Sequence, residues 1–69
     1  MIDAKAVWRD IYDKLGNVPS VCLYVKGRTV EIVGPTTSRA RMCEKRGFTL
    51  CGLYTVTPSI DQVEMDLTA

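Results

Sequence analysis

The stretch Val21-Cys22-Leu23-Tyr24-Val25-Lys26-Gly27-Arg28-Thr29-Val30-Glu31-Ile32-Val33-Gly34 decides the fold. Two β-branched, apolar runs flank Gly27-Arg28, and glycine in the first position of a two-residue loop suits a type II′ turn. A loop of that length fixes the register: Lys26 opposite Thr29, Val25 opposite Val30, Leu23 opposite Ile32. Val21, Leu23, Val25, Val30 and Ile32 then share one face. Cys22, Tyr24, Lys26, Thr29, Glu31 and Val33 share the other. Turn chemistry and side-chain alternation agree, which marks a β-hairpin with one face on a core.

Upstream, Asp3 to Leu15 has helical spacing. Ala4, Val7, Trp8, Ile11 and Leu15 fall on one face, with Lys5, Arg9, Asp10, Asp13 and Lys14 on the other. Asp3 is a suitable N-cap, and Ile2 with Val7 fits a hydrophobic staple. Gly16 ends the helix, and residues 17–20 connect it to the hairpin. Downstream, Pro35-Thr36-Thr37 closes the hairpin and offers an N-cap for a short helix over 38–46. Gly47 follows as its C-terminal residue, with Phe48 packing back near Cys43. Phe48 to Thr57 alternates as a strand, with Phe48, Leu50, Gly52, Tyr54 and Val56 on one side and Thr49, Cys51, Leu53, Thr55 and Thr57 on the other.

The last segment reads two ways. Ser59-Ile60-Asp61-Gln62 fits a helix-opening capping box. Val63, Met65 and Leu67 alternate with Glu64, Asp66 and Thr68, which favours a strand. The expected fold class is α+β: two short helices packed on one face of a small antiparallel sheet, in the order α-β-β-α-β-β, with the final element strand or helix.

The chain of 69 residues makes a single domain, 1–69. Such a chain buries only about 60% of its unfolded surface, so a net stability of roughly 3–5 kcal/mol is expected. Hydrophobic residues at 46% and charged residues at 25% are ordinary for a globular domain. No basic segment followed by an apolar run opens the chain, and no apolar run approaches a membrane span. Cys22, Cys43 and Cys51 are odd in number and lack Cys-x-x-Cys spacing. Reduced thiols, a cytoplasmic location, no metal and no cofactor are therefore expected.

The residues for common catalysis are sparse. There is no histidine, so the usual general base and any Ser-His or Cys-His pair are missing. The glycines at 16, 27, 34, 47 and 52 form no phosphate loop. Glu64 and Asp66 read as a solvated edge. The stretch Ala40-Arg41-Met42-Cys43-Glu44-Lys45-Arg46-Gly47-Phe48 resembles the helix-to-strand junction of the acetyl-CoA-dependent N-acetyltransferases. The Gly- and Arg-rich pyrophosphate loop of that family has no counterpart here, and a helix C-cap accounts for Gly47 and Phe48, so no function is carried over. The expectation is a non-enzyme.

Charge is unevenly spread. Lys5, Arg9 and Lys14 balance Asp3, Asp10 and Asp13 in residues 1–25. Residues 26–47 carry Lys26, Arg28, Arg39, Arg41, Lys45 and Arg46 against Glu31 and Glu44, a net +4. Residues 48–69 carry only Asp61, Glu64 and Asp66, a net −3. On the hairpin face away from the core, Cys22, Tyr24 and Val33, with Leu53 from the next strand, form an apolar strip of the kind that marks an interface. The favoured function is a small protein-binding module, a regulator or inhibitor acting by occupying a partner's surface, with a homodimer expected through a free strand edge. The alternative is a nucleic-acid-binding regulator whose phosphate contacts are Arg28, Arg39, Arg41, Lys45 and Arg46.

Overall fold

A computed structural model describes residues 2–16, 20–34 and 37–68. The order is α1 (Ala4–Leu15), β1 (Val21–Lys26), β2 (Thr29–Val33), α2 (Thr37–Lys45), β3 (Thr49–Tyr54) and α3 (Ile60–Thr68). The chain is an α+β protein with a three-stranded antiparallel sheet. At the start of α1 the Asp3 carboxylate accepts the Lys5 amide at 3.0 Å. At its end the Gly16 amide donates to the Tyr12 carbonyl at 2.9 Å. Residues 17–19 of the expected connector, and Pro35 and Thr36 of the expected N-cap for α2, lie outside the described residues.

The hairpin register is the one the loop dictates, with Lys26 opposite Thr29, Val25 opposite Val30 and Leu23 opposite Ile32. Gly27 has φ +59°, whereas no non-glycine residue has positive φ among those described. That combination is the type II′ pattern, since a type I′ turn would need a positive φ at Arg28 too. β1 is central, and the strand order is β2-β1-β3. β2 and β3 are each antiparallel to β1, so they run the same way and α2 is the crossover between them.

The β3 strand departs from strict alternation. Cys22 lies opposite Leu53 and Leu23 opposite Gly52, but Tyr24 lies opposite Leu50, with a register shift between Leu23 and Tyr24. Cys51 is the extra residue of a bulge. Leu50 and Leu53 therefore face the same side, although their spacing in a regular strand would place them on opposite sides. The strand is also shorter than expected: Phe48 precedes it and belongs to the core beside Cys43, whose carbonyl accepts the Phe48 amide at 3.0 Å.

The segment after Pro58 is a helix, which corrects the favoured strand reading. Ser59 caps it, accepting the Gln62 amide on Oγ at 3.2 Å. Gln62 does not complete the capping box; its Nε2 donates to Asp66 Oδ1, one turn on, at 3.2 Å. The helix buries Val63 completely and partly buries Leu67 against the α1 core, leaving Met65 exposed. A strand would have forced Val63, Met65 and Leu67 onto one face together.

The sheet is covered on both sides, not one. Val7, Ile11, Val21, Leu23, Ile32, Tyr54 and Val63 make the core beneath α1 and α3. Tyr24, Val33, Cys43 and Phe48, with Cys22 and Ala40, make a second core beneath α2. Alternate residues of β1 feed the two cores, so β1 is buried on both faces.

Candidate interaction surface

The structure brings the four residues of the expected apolar strip together on one face, with Cys22 opposite Val33, but α2 covers part of it. Cys22 and Leu53 are cross-strand neighbours, but Tyr24 and Val33 are only 3% and 2% exposed. Helix α2 lies on them through Ala40 and Cys43, and Phe48 closes the same cluster. Tyr24 and Val33 are thus core residues, and Cys22 is half-buried beside them. The expectation missed this because few residues of α2 are apolar: a small alanine and a cysteine suffice to cover the sheet. Burial pushes the Cys22 thiol up. Desolvation, then the Glu44 carboxylate, pushes the Tyr24 hydroxyl up.

Leu53 remains 65% exposed, and Leu50, on the same side of the sheet, is 48% exposed. Strict alternation had assigned Leu50 to the inward face; the bulge at Cys51 turns it out. Both leucines sit on β3, an edge strand with no partner on its outer side among the described residues. The sequence of β3, Thr-Leu-Cys-Gly-Leu-Tyr, contains neither charge nor proline. Natural edge strands usually carry one or the other to discourage pairing.

Helix α2 presents Arg39, Arg41 and Lys45 to solvent, with Arg46 exposed just after it. Lys26 joins them, a residue the expected phosphate-contact set omitted. Its ammonium donates to the Arg46 carbonyl at 2.7 Å and so caps the C-terminal end of α2. The Arg46 guanidinium lies 5.7 Å from the centre of the Phe48 ring. Arg28 is not brought to this surface. It lines grooves on the opposite side with Ile2 and Asp3. Among the described residues the only ion pair is Lys14 with Asp10, at 3.2 Å in α1. The cations of α2 are therefore not neutralised by the acidic α3, which lies across the sheet.

A groove of about 770 Å³ runs beside β3 on the α3 side, lined by strand residues 51–54, by Thr57, Pro58 and Ser59, and by Gln62 and Asp66. The Tyr54 hydroxyl donates to the Asp66 carboxylate, and the Cys51 thiol donates to the Asp66 carbonyl at 3.0 Å. The Trp8 indole donates to the Pro58 carbonyl and holds the connector against α1. The Thr57 hydroxyl oxygen is buried without a hydrogen-bond partner. Burial, then Asp66, pushes the Cys51 thiol up, so it stays protonated and a poor nucleophile at neutral pH.

Desolvation, then its bond to Asp66, pushes the Tyr54 hydroxyl well above its ordinary range. A folded-state value above the unfolded one means that the contribution is intact below pH about 10 and is lost as the pH rises through the folded-state value. Chemical unfolding at stepped alkaline pH should show stability falling in that window, with a shallower fall in Tyr54→Phe. Parallel curves for the two proteins would remove Tyr54 from the linkage.

Among the described residues no three His, Cys, Asp or Glu side chains are grouped to hold a metal ion. No described helix is long and apolar enough to cross a membrane. Comparison with protein-family models, curated proteins and solved structures finds no match to this chain.

Proposed function

We propose that this chain is a non-enzymatic protein-binding module that acts by occupying a partner's surface, and that it docks through α2 and β3. One observation carries the reading: Leu50 and Leu53 are exposed on the side of the sheet that α2 covers, where Arg39, Arg41, Lys45 and Arg46 outnumber Glu31 and Glu44 and make no ion pair among the described residues. Arginine beside apolar area is the composition of interface cores. The unpaired cations select an acidic partner, and like-charged surfaces are rejected. A standard interface of about 800 Å² per partner would draw on both elements. The absence of histidine and the raised thiol values support a role without catalysis.

The same cations also support nucleic-acid binding as a second reading. Against it, Tyr24 and Phe48 are buried, so this face offers no aromatic platform for bases. A homodimer through β3 is opposed by charge. A two-fold axis that pairs the two edges antiparallel leaves both α2 helices on one face of the joined sheet, and their like charges repel.

Affinity capture from the cells that express the protein, with nuclease treatment, tests the reading. The wild type should retain an acidic protein, and Leu53→Asp or Arg41→Glu should lose it, each variant first checked for an unchanged circular dichroism spectrum. Retention of the same proteins by both variants would remove the surface from the function. Loss of all bound material on nuclease treatment would transfer it to the nucleic-acid reading.

A further inference from the structure

We infer that the partner completes the sheet: an extended segment of it pairs with the outer edge of β3 as a fourth strand. The inference rests on the protein-binding reading and names how the partner is held. The outer edge of a strand offers a row of amide and carbonyl groups that an extended chain satisfies directly. Here that row belongs to a strand with no charge and no proline, exposed beside a groove of about 770 Å³.

Side chains of an added strand alternate between two different surroundings. On the α2 side they meet Leu50 and Leu53, on the face of the sheet that carries the exposed cations of α2, so valine-like and acidic residues fit there. On the α3 side they enter the groove. Asp66 lines that groove and accepts from Tyr54 and Gln62, but has no cation within ion-pair distance among the described residues. Lysine or threonine fits that side. The occupant is therefore an extended protein segment alternating acidic or apolar residues with basic or hydroxyl residues. A second copy of this chain does not match: β3 itself supplies no charge of either sign, and two-fold pairing brings the α2 helices to one side. A nucleic acid does not match either, since it has no row of amides and carbonyls to pair with a strand edge.

The probe is a short synthetic peptide alternating valine or glutamate with lysine or threonine. Three forms are compared by titration calorimetry against the folded chain: the peptide itself, a version with its central backbone amides N-methylated, and a version of the same composition with the charges in blocks. The alternating peptide is expected to bind at least tenfold more tightly than either control. Its binding should slow amide hydrogen exchange within β3, and Leu53→Asp should weaken it at least tenfold while Leu53→Thr largely keeps it. Equal binding of the N-methylated form overturns strand addition and leaves docking by charge and apolar area. No binding of any form at millimolar peptide also overturns strand addition; the capture experiment with Leu53→Asp then decides separately whether the α2–β3 surface docks a protein. Displacement of the peptide by an oligonucleotide with unchanged β3 exchange overturns it in favour of the nucleic-acid reading.

Discussion

Leu23→Ala is expected to lower the unfolding free energy by roughly 3 kcal/mol, which leaves a domain of this size close to unfolded at room temperature. Leu23 is fully buried in the central strand. It lies between Ile32 on one neighbour and Gly52 on the other, with Val7, Ile11 and Val63 in the same core. The glycine beside it has no side chain to lean into the space that alanine would leave. Tyr24→Ala should cost a comparable amount through the second core, because Tyr24 is 3% exposed under α2. Thr29→Ala, at an exposed position beside the turn, should change stability by less than about 0.5 kcal/mol. Urea unfolding of the three variants distinguishes a sheet covered on both faces from one covered on a single face. In the second case Tyr24 would be a surface residue and its truncation nearly silent. A silent Tyr24→Ala would contradict the second core.

The hairpin was legible because two independent signals, loop length and alternation, had to agree before either could be trusted. The N-terminal helix was legible for the same reason, its cap residue and its apolar face pointing to one start. The covered second face was not legible. Helix α2 contributes only Ala40 and Cys43, too little for periodicity to show which way it faces, while Tyr24 and Val33 look like an exposed strip when the hairpin is read alone. The last element was ambiguous for a physical reason: Val63 and Leu67 are four apart, yet with Met65 between them they also alternate. Packing against α1 resolved it, and packing is not local. At the candidate surface, the cations of α2 and the exposed Leu53 were readable as residue types. Leu50 was hidden by a one-residue bulge, which reverses facing for half a strand without leaving a mark in composition. Lys26 was hidden because its role as a cap on α2 depends on a crossover connection.

Gly52→Ala is expected to cost roughly 2 kcal/mol although it adds a single methyl group. A Cβ at this position would stand 2.6 Å from Asp66 Oδ2, 2.6 Å from the Tyr54 hydroxyl and 2.8 Å from its ring carbon. Something must shift, and both partners are held: Tyr54 by the core, Asp66 by Gln62 at 3.2 Å. Displacing them breaks the hydrogen bond between Tyr54 and Asp66 and leaves a poorly exposed hydroxyl unpaired. That bond, with the Cys51 thiol on the Asp66 carbonyl, pins α3 to β3, so the loss should reach the helix. Amide exchange in α3 should accelerate more than in α2. The cause is separable from backbone strain by a double-mutant cycle. In an Asp66→Ala background part of the Gly52→Ala penalty should disappear, because the bond at risk and one of the two oxygens at 2.6 Å are already gone, while the Tyr54 ring still obstructs the methyl group. Gly27→Ala provides the contrast. Its φ of +59° lies in the left-handed region and nothing stands within 4 Å, so its cost of roughly 1–2 kcal/mol is conformational. That cost should be the same with or without Asp66. A Gly52→Ala penalty that persists undiminished in Asp66→Ala would mean that the close approach of β3 to α3 does not depend on the carboxylate.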